Sequence, residues 1–184
     1  GANLLSAFSR VHCGERDPVD TFAACLEERA GRRIVLGRRE HADHPGRDAL
    51  ARDIGQLAEL LGDLLDCPHI GLRLEVIDKA MCPRLHVDRV GIRLLCTYRG
   101  PGTEWLDDAG VDRSKLGSGA GGLPDEQSGL LSAGAQIQCI PGFAVALLKG
   151  SLWQGNGSRG IIHRSPAVPA DGFPRVVLAA DGVW

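Results

Sequence analysis

The spacing of apolar residues changes at Pro68, from the period of a helix to that of a strand. Upstream, apolar residues recur at intervals of three and four, which predicts one amphipathic helix: Leu50, Ile54, Leu57, Leu61 and Leu64. The helix is predicted to end at Cys67-Pro68, because the residue before a proline is pushed out of helical conformation. From His69 onward, apolar residues alternate or form short runs between glycines and prolines, which is typical of strands joined by turns.

Six strand-like runs follow this change, over 72–77, 92–98, 135–140, 144–148, 160–163 and 175–180. The polar segment 107–134 lies among them, and a connection of that length is usually mobile or functional. Before the amphipathic helix, Asp17-Pro18 predicts the start of an earlier helix, and 33–36 predicts a short strand. We therefore expect one α+β domain over 1–184, in which a helical layer with a short strand (1–68) covers a strand-rich core (69–184).

Charge and composition exclude several classes of protein. The formal net charge of −2 provides no basic excess for binding a nucleic-acid backbone. The longest apolar runs are far shorter than the roughly 18 residues of a membrane-spanning helix, and the first residues carry no basic-then-apolar signal region. The six cysteines are scattered without a C-x-x-C pair, so free thiols are expected. These features predict a soluble, cytoplasmic protein that binds neither nucleic acid nor membrane.

Two motifs carry the chemistry that the sequence suggests. His86 and Asp88 are two residues apart, so on an extended segment their side chains project to one face. His163 arrives on a later strand-like run, and Arg175 begins the next one. Two imidazoles and one carboxylate form the facial triad of non-haem Fe(II) oxygenases, which leaves open positions on the metal. His86, Asp88 and His163 are therefore the predicted metal ligands.

This order of residues is similar to that of the 2-oxoglutarate/Fe(II)-dependent dioxygenases. The resemblance covers roughly residues 70–181 and implies a double-stranded β-helix, a jelly-roll or cupin-like core, with the preceding helices packed against it. It also implies Fe(II) at the triad and 2-oxoglutarate as cosubstrate, with the far carboxylate of 2-oxoglutarate bound by Arg175. The implied activity is the oxidation of a substrate, small-molecule or other, that the sequence does not identify. Val176-Val177 departs from the family, since many members place Ser or Thr two residues after the arginine.

A longer string, from Cys82 to Trp105, resembles an uncharacterised bacterial family found mainly in proteobacteria, and that resemblance implies metal handling. The alternative function is accordingly a non-catalytic zinc-binding or metal-handling protein on the same scaffold. Cys82 lies four residues before His86 and could complete a tetrahedral zinc site, or it could be a small buried apolar residue before a proline. A third interpretation is a cupin-like isomerase or hydrolase that uses the metal as a Lewis acid.

Four further residues near the motif are candidates for ligand binding. Arg93 could point inward and bind an anionic cosubstrate in place of Arg175, or point outward into solvent. Tyr98 could donate a hydrogen bond to a bound carboxylate, or belong to the core with its hydroxyl at the rim. Glu104 and Trp105, after the Gly-Pro-Gly turn, could line the mouth of the site.

Overall fold

A computed structural model of the chain describes residues 6–8, 46–157, 159–168 and 174–184. The helix predicted to start at Asp17-Pro18 and the strand predicted over 33–36 lie outside the described residues. The amphipathic helix is confirmed as α1 (Arg47–Leu65), and its chain leaves through Asp66 in the left-handed conformation, with φ 47°. Four of the five predicted apolar positions are buried, whereas Leu64 in the last turn is 55% exposed.

Eight strands are described: β1 (Ser6–Phe8), β2 (His69–Ile77), β3 (Ile92–Arg99), β4 (Glu104–Leu106), β5 (Gln138–Cys139), β6 (Val145–Lys149), β7 (Ile162–Arg164) and β8 (Arg175–Val183). The sequence did not predict β4. The run predicted over 135–140 is a strand only at Gln138–Cys139, because its partner β4 is short and Ala135 closes a turn by donating its N–H to the Ser132 carbonyl.

These strands form two sheets. The larger sheet has the order β1-β6-β3-β8-β2, and the smaller has the order β5-β4-β7. All strand pairings within the described ranges are antiparallel. The fold is therefore a mixed α+β arrangement of antiparallel sheets with, among the described residues, one α-helix. That helix is not long and apolar enough to cross a membrane.

Three apolar clusters hold these layers together. The first packs α1 on one face of the larger sheet, using alternate residues of the central strands such as Leu94 and Leu178. The second joins the two sheets: Leu95 and Val177, on the opposite face of the larger sheet, belong to one buried cluster with Ile161 beside β7, and Trp105 packs against this cluster. Because side chains alternate along a strand, β3 and β8 contribute to both clusters.

The third cluster connects the segment 107–134 to the smaller sheet. Leu130 from this segment is buried with Leu106 of β4, Ile162 of β7 and Leu85. Three 3-10 turns, at Asp108–Gly110, Arg113–Lys115 and Gly117–Ala120, give the segment local structure. The sequence favoured a mobile or functional connection here, and the structure shows a packed layer that covers one face of the smaller sheet.

Candidate metal centre

His86 and His163 form an isolated antiparallel bridge. The N–H of each residue donates to the carbonyl of the other at 3.0 Å, which extends the smaller sheet beyond β7. Residues that face each other directly in an antiparallel pair project their side chains to the same face. The two rings accordingly lie side by side, with centroids 4.6 Å apart and planes tilted by 47°. The predicted contact between the two motifs is therefore present.

Trp105 extends the same row on the other side of His163. It is the direct partner of His163 in the β4–β7 ladder, and Gln138 of β5 is its partner in the next ladder. The structure therefore places Trp105 on the face that carries the histidines, as expected for a residue that lines the site. Glu104 projects from the opposite face, where its carboxylate accepts a hydrogen bond from Arg164 Nε at 2.6 Å. Glu104 is not brought to the site.

Asp88 completes the cluster. Its Oδ1 lies 3.6 Å from His86 Nε2, and its Oδ2 lies 3.4 Å from His163 Nε2. In the part of the chain that the structure describes, these three residues form the one group suited to bind a metal, with ligand atoms all within 4.8 Å of one another. Two metal–ligand bonds of about 2.1 Å would place their donor atoms about 3.0 Å apart at a right angle and about 3.4 Å apart at a tetrahedral angle. The separations of Asp88 from the two rings, each through a different oxygen, are close to the tetrahedral value, so the chemistry of the donor set suits a single first-row metal ion.

The other nitrogen of each histidine fixes its tautomer. His86 Nδ1 lies 2.8 Å from the Arg84 carbonyl oxygen, and His163 Nδ1 lies 3.2 Å from the Ile161 carbonyl oxygen. A carbonyl oxygen only accepts, so each Nδ1 carries the hydrogen and each neutral ring presents an Nε2 lone pair towards Asp88. A hydrogen bond of this kind behind the ligand is a common feature of metal-binding histidines.

The charges of the site shift its pKa values in opposite directions. When His86 is protonated, its Nε2 donates to Asp88, and this raises the pKa of His86 above its ordinary value of 6.5, against the effect of burial. Burial opposes ionisation of Asp88, but the hydrogen bonds that the His163 and His86 rings donate when protonated at Nε2, with the nearby charge of Arg93, hold the pKa of that carboxyl far below its usual range. Asp88 is therefore ionised at neutral pH, as a metal ligand must be.

Several contacts hold the segment that carries His86 and Asp88. The buried carboxylate of Asp125, in the segment 107–134, accepts the Leu85 N–H at 2.7 Å and Arg84 Nε at 2.8 Å. On the other side, the Asp88 carbonyl accepts the Ser151 N–H at 2.9 Å. The chain passes so close at Gly150 that an added Cβ atom would lie 2.8 Å from that same carbonyl oxygen. Asp125 could not be found from the sequence, because its partners are about 40 residues away along the chain.

Arg93 lies behind Asp88. Its Nη1 donates to Asp88 Oδ2 at 2.7 Å, and its Nε and Nη2 donate to both oxygens of Asp181 at 2.8 and 2.7 Å. The side chain does point inward, as one of the two sequence interpretations required. Its guanidinium is engaged by two protein carboxylates and not available to an anionic cosubstrate.

Arg175 has a different set of partners. Only 3% of this residue is exposed, and its guanidinium donates to the Pro101 carbonyl and to the hydroxyls of Ser165, Thr97 and Thr103, at 2.7 to 3.2 Å. All four partners are neutral, and no carboxylate of the described residues pairs with this guanidinium. Burial lowers the pKa of Arg175 from its ordinary value, and the nearby charges of Cys139 and Glu75, which are beyond ion-pair distance, oppose this only in part. The sequence did not point to Ser165 or Thr103 in this role.

The remaining two candidates lie away from this cluster. The Tyr98 hydroxyl donates to Asp53 Oδ2 at 2.5 Å, so this side chain faces α1 on the other side of the larger sheet. Cys82 is exposed and does not belong to the group of possible metal ligands in the described residues. Its contribution is through the backbone, where its carbonyl accepts the Ser165 N–H at 2.9 Å.

Comparison with known proteins identifies a family but no activity. The family model for a protein of unknown function, DUF1826, matches residues 16–181. Because this match covers most of the chain, the protein belongs to that family, which agrees with the resemblance of the string from Cys82 to Trp105 to an uncharacterised family. No curated protein and no solved structure matches the chain.

Proposed function

We propose that this member of the DUF1826 family is an Fe(II)- and 2-oxoglutarate-dependent oxygenase. The observation that carries the proposal is a pair of features on the same side of β7. The two-histidine, one-carboxylate group lies at His163, and the hydroxyl of Ser165, two residues later, contacts the buried guanidinium of Arg175. A metal site and a carboxylate site therefore adjoin each other.

The order of the strands supports a double-stranded β-helix. Four strands of the larger sheet have the order β6-β3-β8-β2, and the smaller sheet, extended by the His86 bridge, has the order His86-β7-β4-β5. When the segment at His86 is counted as a strand between β2 and β3, each successive strand from β2 to β8 crosses to the other sheet, apart from the β4–β5 pair. This connectivity supports a jelly roll, a fold in which two facing antiparallel sheets of four strands each would enclose the site.

The metal group favours an open catalytic site. Three protein ligands leave about half of the positions of an octahedral ion open, whereas a structural zinc site needs a fourth protein ligand. The fourth ligand considered from sequence, Cys82, is exposed and lies outside the group. Bound at His86, Asp88 and His163, Fe(II) would supply the redox chemistry that activates dioxygen. The protein would supply the ligands, the carboxylate site and exclusion of water.

Arg175 and its hydroxyl neighbours suit the far carboxylate of 2-oxoglutarate. A buried guanidinium without a carboxylate partner is energetically costly, and an anion would compensate it. The planar guanidinium and the hydroxyls of Thr97, Thr103 and Ser165 can all donate to carboxylate oxygens. On an extended chain, the Cα atoms of His163 and Ser165 lie about 7 Å apart. A short keto dicarboxylate can span such a distance, with its keto acid end at the metal group.

Anaerobic titration of the Fe(II)-loaded protein with 2-oxoglutarate tests the proposal. We expect the weak visible charge-transfer band that forms when a keto acid chelates iron. His86→Ala should abolish the band together with metal binding, and Arg175→Met should weaken the response to 2-oxoglutarate while metal binding persists. His69→Ala and Arg52→Ala, at exposed positions away from the site, are the matched controls. Tight zinc binding with no band for 2-oxoglutarate would contradict the proposal and favour the non-catalytic metal protein.

A further inference from the structure

The metal-ligand candidate Asp88 is tied to the centre of the larger sheet by an arginine. Arg93 on β3 and Asp181 on β8 are direct partners in the antiparallel ladder, so their side chains project side by side into the space between the sheets. Arg93 uses Nε and Nη2 to bind both oxygens of Asp181, and Nη1 to bind Asp88 Oδ2. All three side chains are largely shielded, at 17%, 25% and 16% exposure. The result is a fixed chain of contacts from Asp181 through Arg93 to Asp88.

We propose that Arg93, held by Asp181, is a positioning residue that makes Asp88 a one-oxygen metal ligand. This inference rests on the metal-binding part of the proposed function. Oδ2 of Asp88 lies 3.4 Å from His163 Nε2 but is engaged at 2.7 Å by Arg93, so Oδ1, 3.6 Å from His86 Nε2, is the oxygen left to bind the ion. The carbonyl of Asp88 is fixed as well, by the Ser151 N–H. Because both the side chain and the backbone carbonyl of Asp88 are held, its carboxylate cannot rotate to present two oxygens and occupy a further position on the metal.

Charge and orientation make opposite predictions for the loss of Arg93. A guanidinium beside a ligand oxygen repels a divalent cation, so on charge alone its removal should tighten metal binding. On orientation, removal should weaken binding, since loss of a group that holds a metal ligand typically costs about 10–100-fold in affinity. Asp181 binds the guanidinium through two hydrogen bonds and offsets its positive charge, which reduces the repulsion. We therefore expect orientation to dominate.

Titration of the full-length protein with Co(II) measures both affinity and coordination. The visible d–d absorption of Co(II) depends on the number and arrangement of its ligands, so it reports the geometry independently of any catalytic activity. Arg93→Met should weaken Co(II) binding by about 10–100-fold and alter the spectrum. Arg93→Lys, which keeps the charge but lacks the planar fork, should restore only part of the affinity. Asp181→Asn should fall between Arg93→Met and wild type.

Arg73→Met is the matched control, because Arg73 approaches Asp181 only at 3.8 Å, is 52% exposed and makes no contact with Asp88. It should bind Co(II) as wild type does. Equal or tighter binding by Arg93→Met, with an unchanged spectrum, would overturn the positioning role while leaving the metal site intact. If Arg93→Met does not fold, Asp181→Asn decides the question by the same two readouts. A wild type that binds Co(II) no better than His86→Ala would overturn the metal site itself.

Discussion

The carboxylate of Asp125 accepts the N–H of Leu85 across 40 residues of sequence, at 2.7 Å. Leu85 directly precedes His86, so this bond fixes the backbone that carries the first metal-ligand candidate. Asp125 is only 4% exposed and also accepts from Arg84. The segment 107–134 thus contributes to the site from outside, through one buried carboxylate.

Asp125→Ala should destabilise the protein by about 1–3 kcal/mol, because it leaves the buried Leu85 N–H without its acceptor. For a chain of this size, that corresponds to a loss of several degrees in Tm. Metal affinity should fall as well, since His86 loses its anchored neighbour. Thermal unfolding and Co(II) titration measure the two effects. Asp78→Ala, at an exposed position, is the control, and a Tm equal to that of this control would contradict the role of Asp125.

Gly160 allows the chain before β7 to pass close to the metal-binding segment. A Cβ atom at this position would overlap Val87 Cγ1 and lie 2.8 Å from the Lys149 carbonyl oxygen. Gly160→Ala should therefore push 86–88 away from β7, lower Tm and weaken metal binding, by an overpacking cost of about 1–3 kcal/mol. Gly142→Ala adds the same methyl group where no atom lies within 4 Å. Similar losses of Tm and metal affinity in both variants would show that the contact at Gly160 is unimportant.

The sequence predicts α1 because a helix follows from the local spacing of apolar residues. It predicts the approach of the three metal-ligand candidates because their types and order resemble those of a known family. It could not decide between the two faces of a short strand. Thr97 and Tyr98 are neighbours on β3, yet Thr97 contacts Arg175 and Tyr98 contacts Asp53 on α1. Which of two adjacent residues faces the site depends on strand register, which is set by tertiary packing.

The same uncertainty affected Glu104 and Trp105, of which only Trp105 shares the face of His163. Ion pairs between residues far apart in sequence are a second feature that the sequence could not predict. Arg93 is close to Asp88 along the chain, but Asp181, its second partner, is 88 residues from Arg93. The sequence therefore suggests an inward-pointing Arg93 only as an anion-binding residue, not as a link between two carboxylates. Side-chain pairing of this kind follows from the β3–β8 register, which the sequence alone does not specify.

The pH dependence of the metal-free protein follows from His86 and Asp88. The raised pKa of His86 means that its contribution to stability is fully present below about pH 6.5 and is lost as the pH rises through the raised value. Asp88, whose pKa is lowered, stabilises the folded protein above about pH 4, and this contribution is lost only in strong acid. We therefore expect the Tm difference between wild type and His86→Gln to shrink as the pH rises above about 6.5.

Metal should show the opposite trend, because the ion binds neutral His86 and competes with the proton. The increase in Tm on addition of Co(II) should therefore grow as the pH rises over the same range. His69→Gln, with an exposed histidine replaced, should follow the wild type in both experiments. A metal-induced increase in Tm that is constant with pH would contradict the assignment of His86 as a ligand.

Thr103→Val tests the carboxylate site without altering the arginine. The Thr103 hydroxyl accepts from Arg175 Nη2 at 2.7 Å and is buried, so valine of the same shape removes one partner of the guanidinium and one donor for a bound carboxylate. A hydrogen bond to a charged group contributes about 1.5–3 kcal/mol, so we expect 2-oxoglutarate to bind at least about tenfold more weakly. Metal affinity should not change, because Thr103 is not among the metal-ligand candidates. Thr103→Ser keeps the hydroxyl and should retain most of the affinity for 2-oxoglutarate. Equal binding of 2-oxoglutarate by the valine variant and the wild type would remove this hydroxyl from the carboxylate site, whereas a parallel loss in the serine variant would indicate packing as the cause.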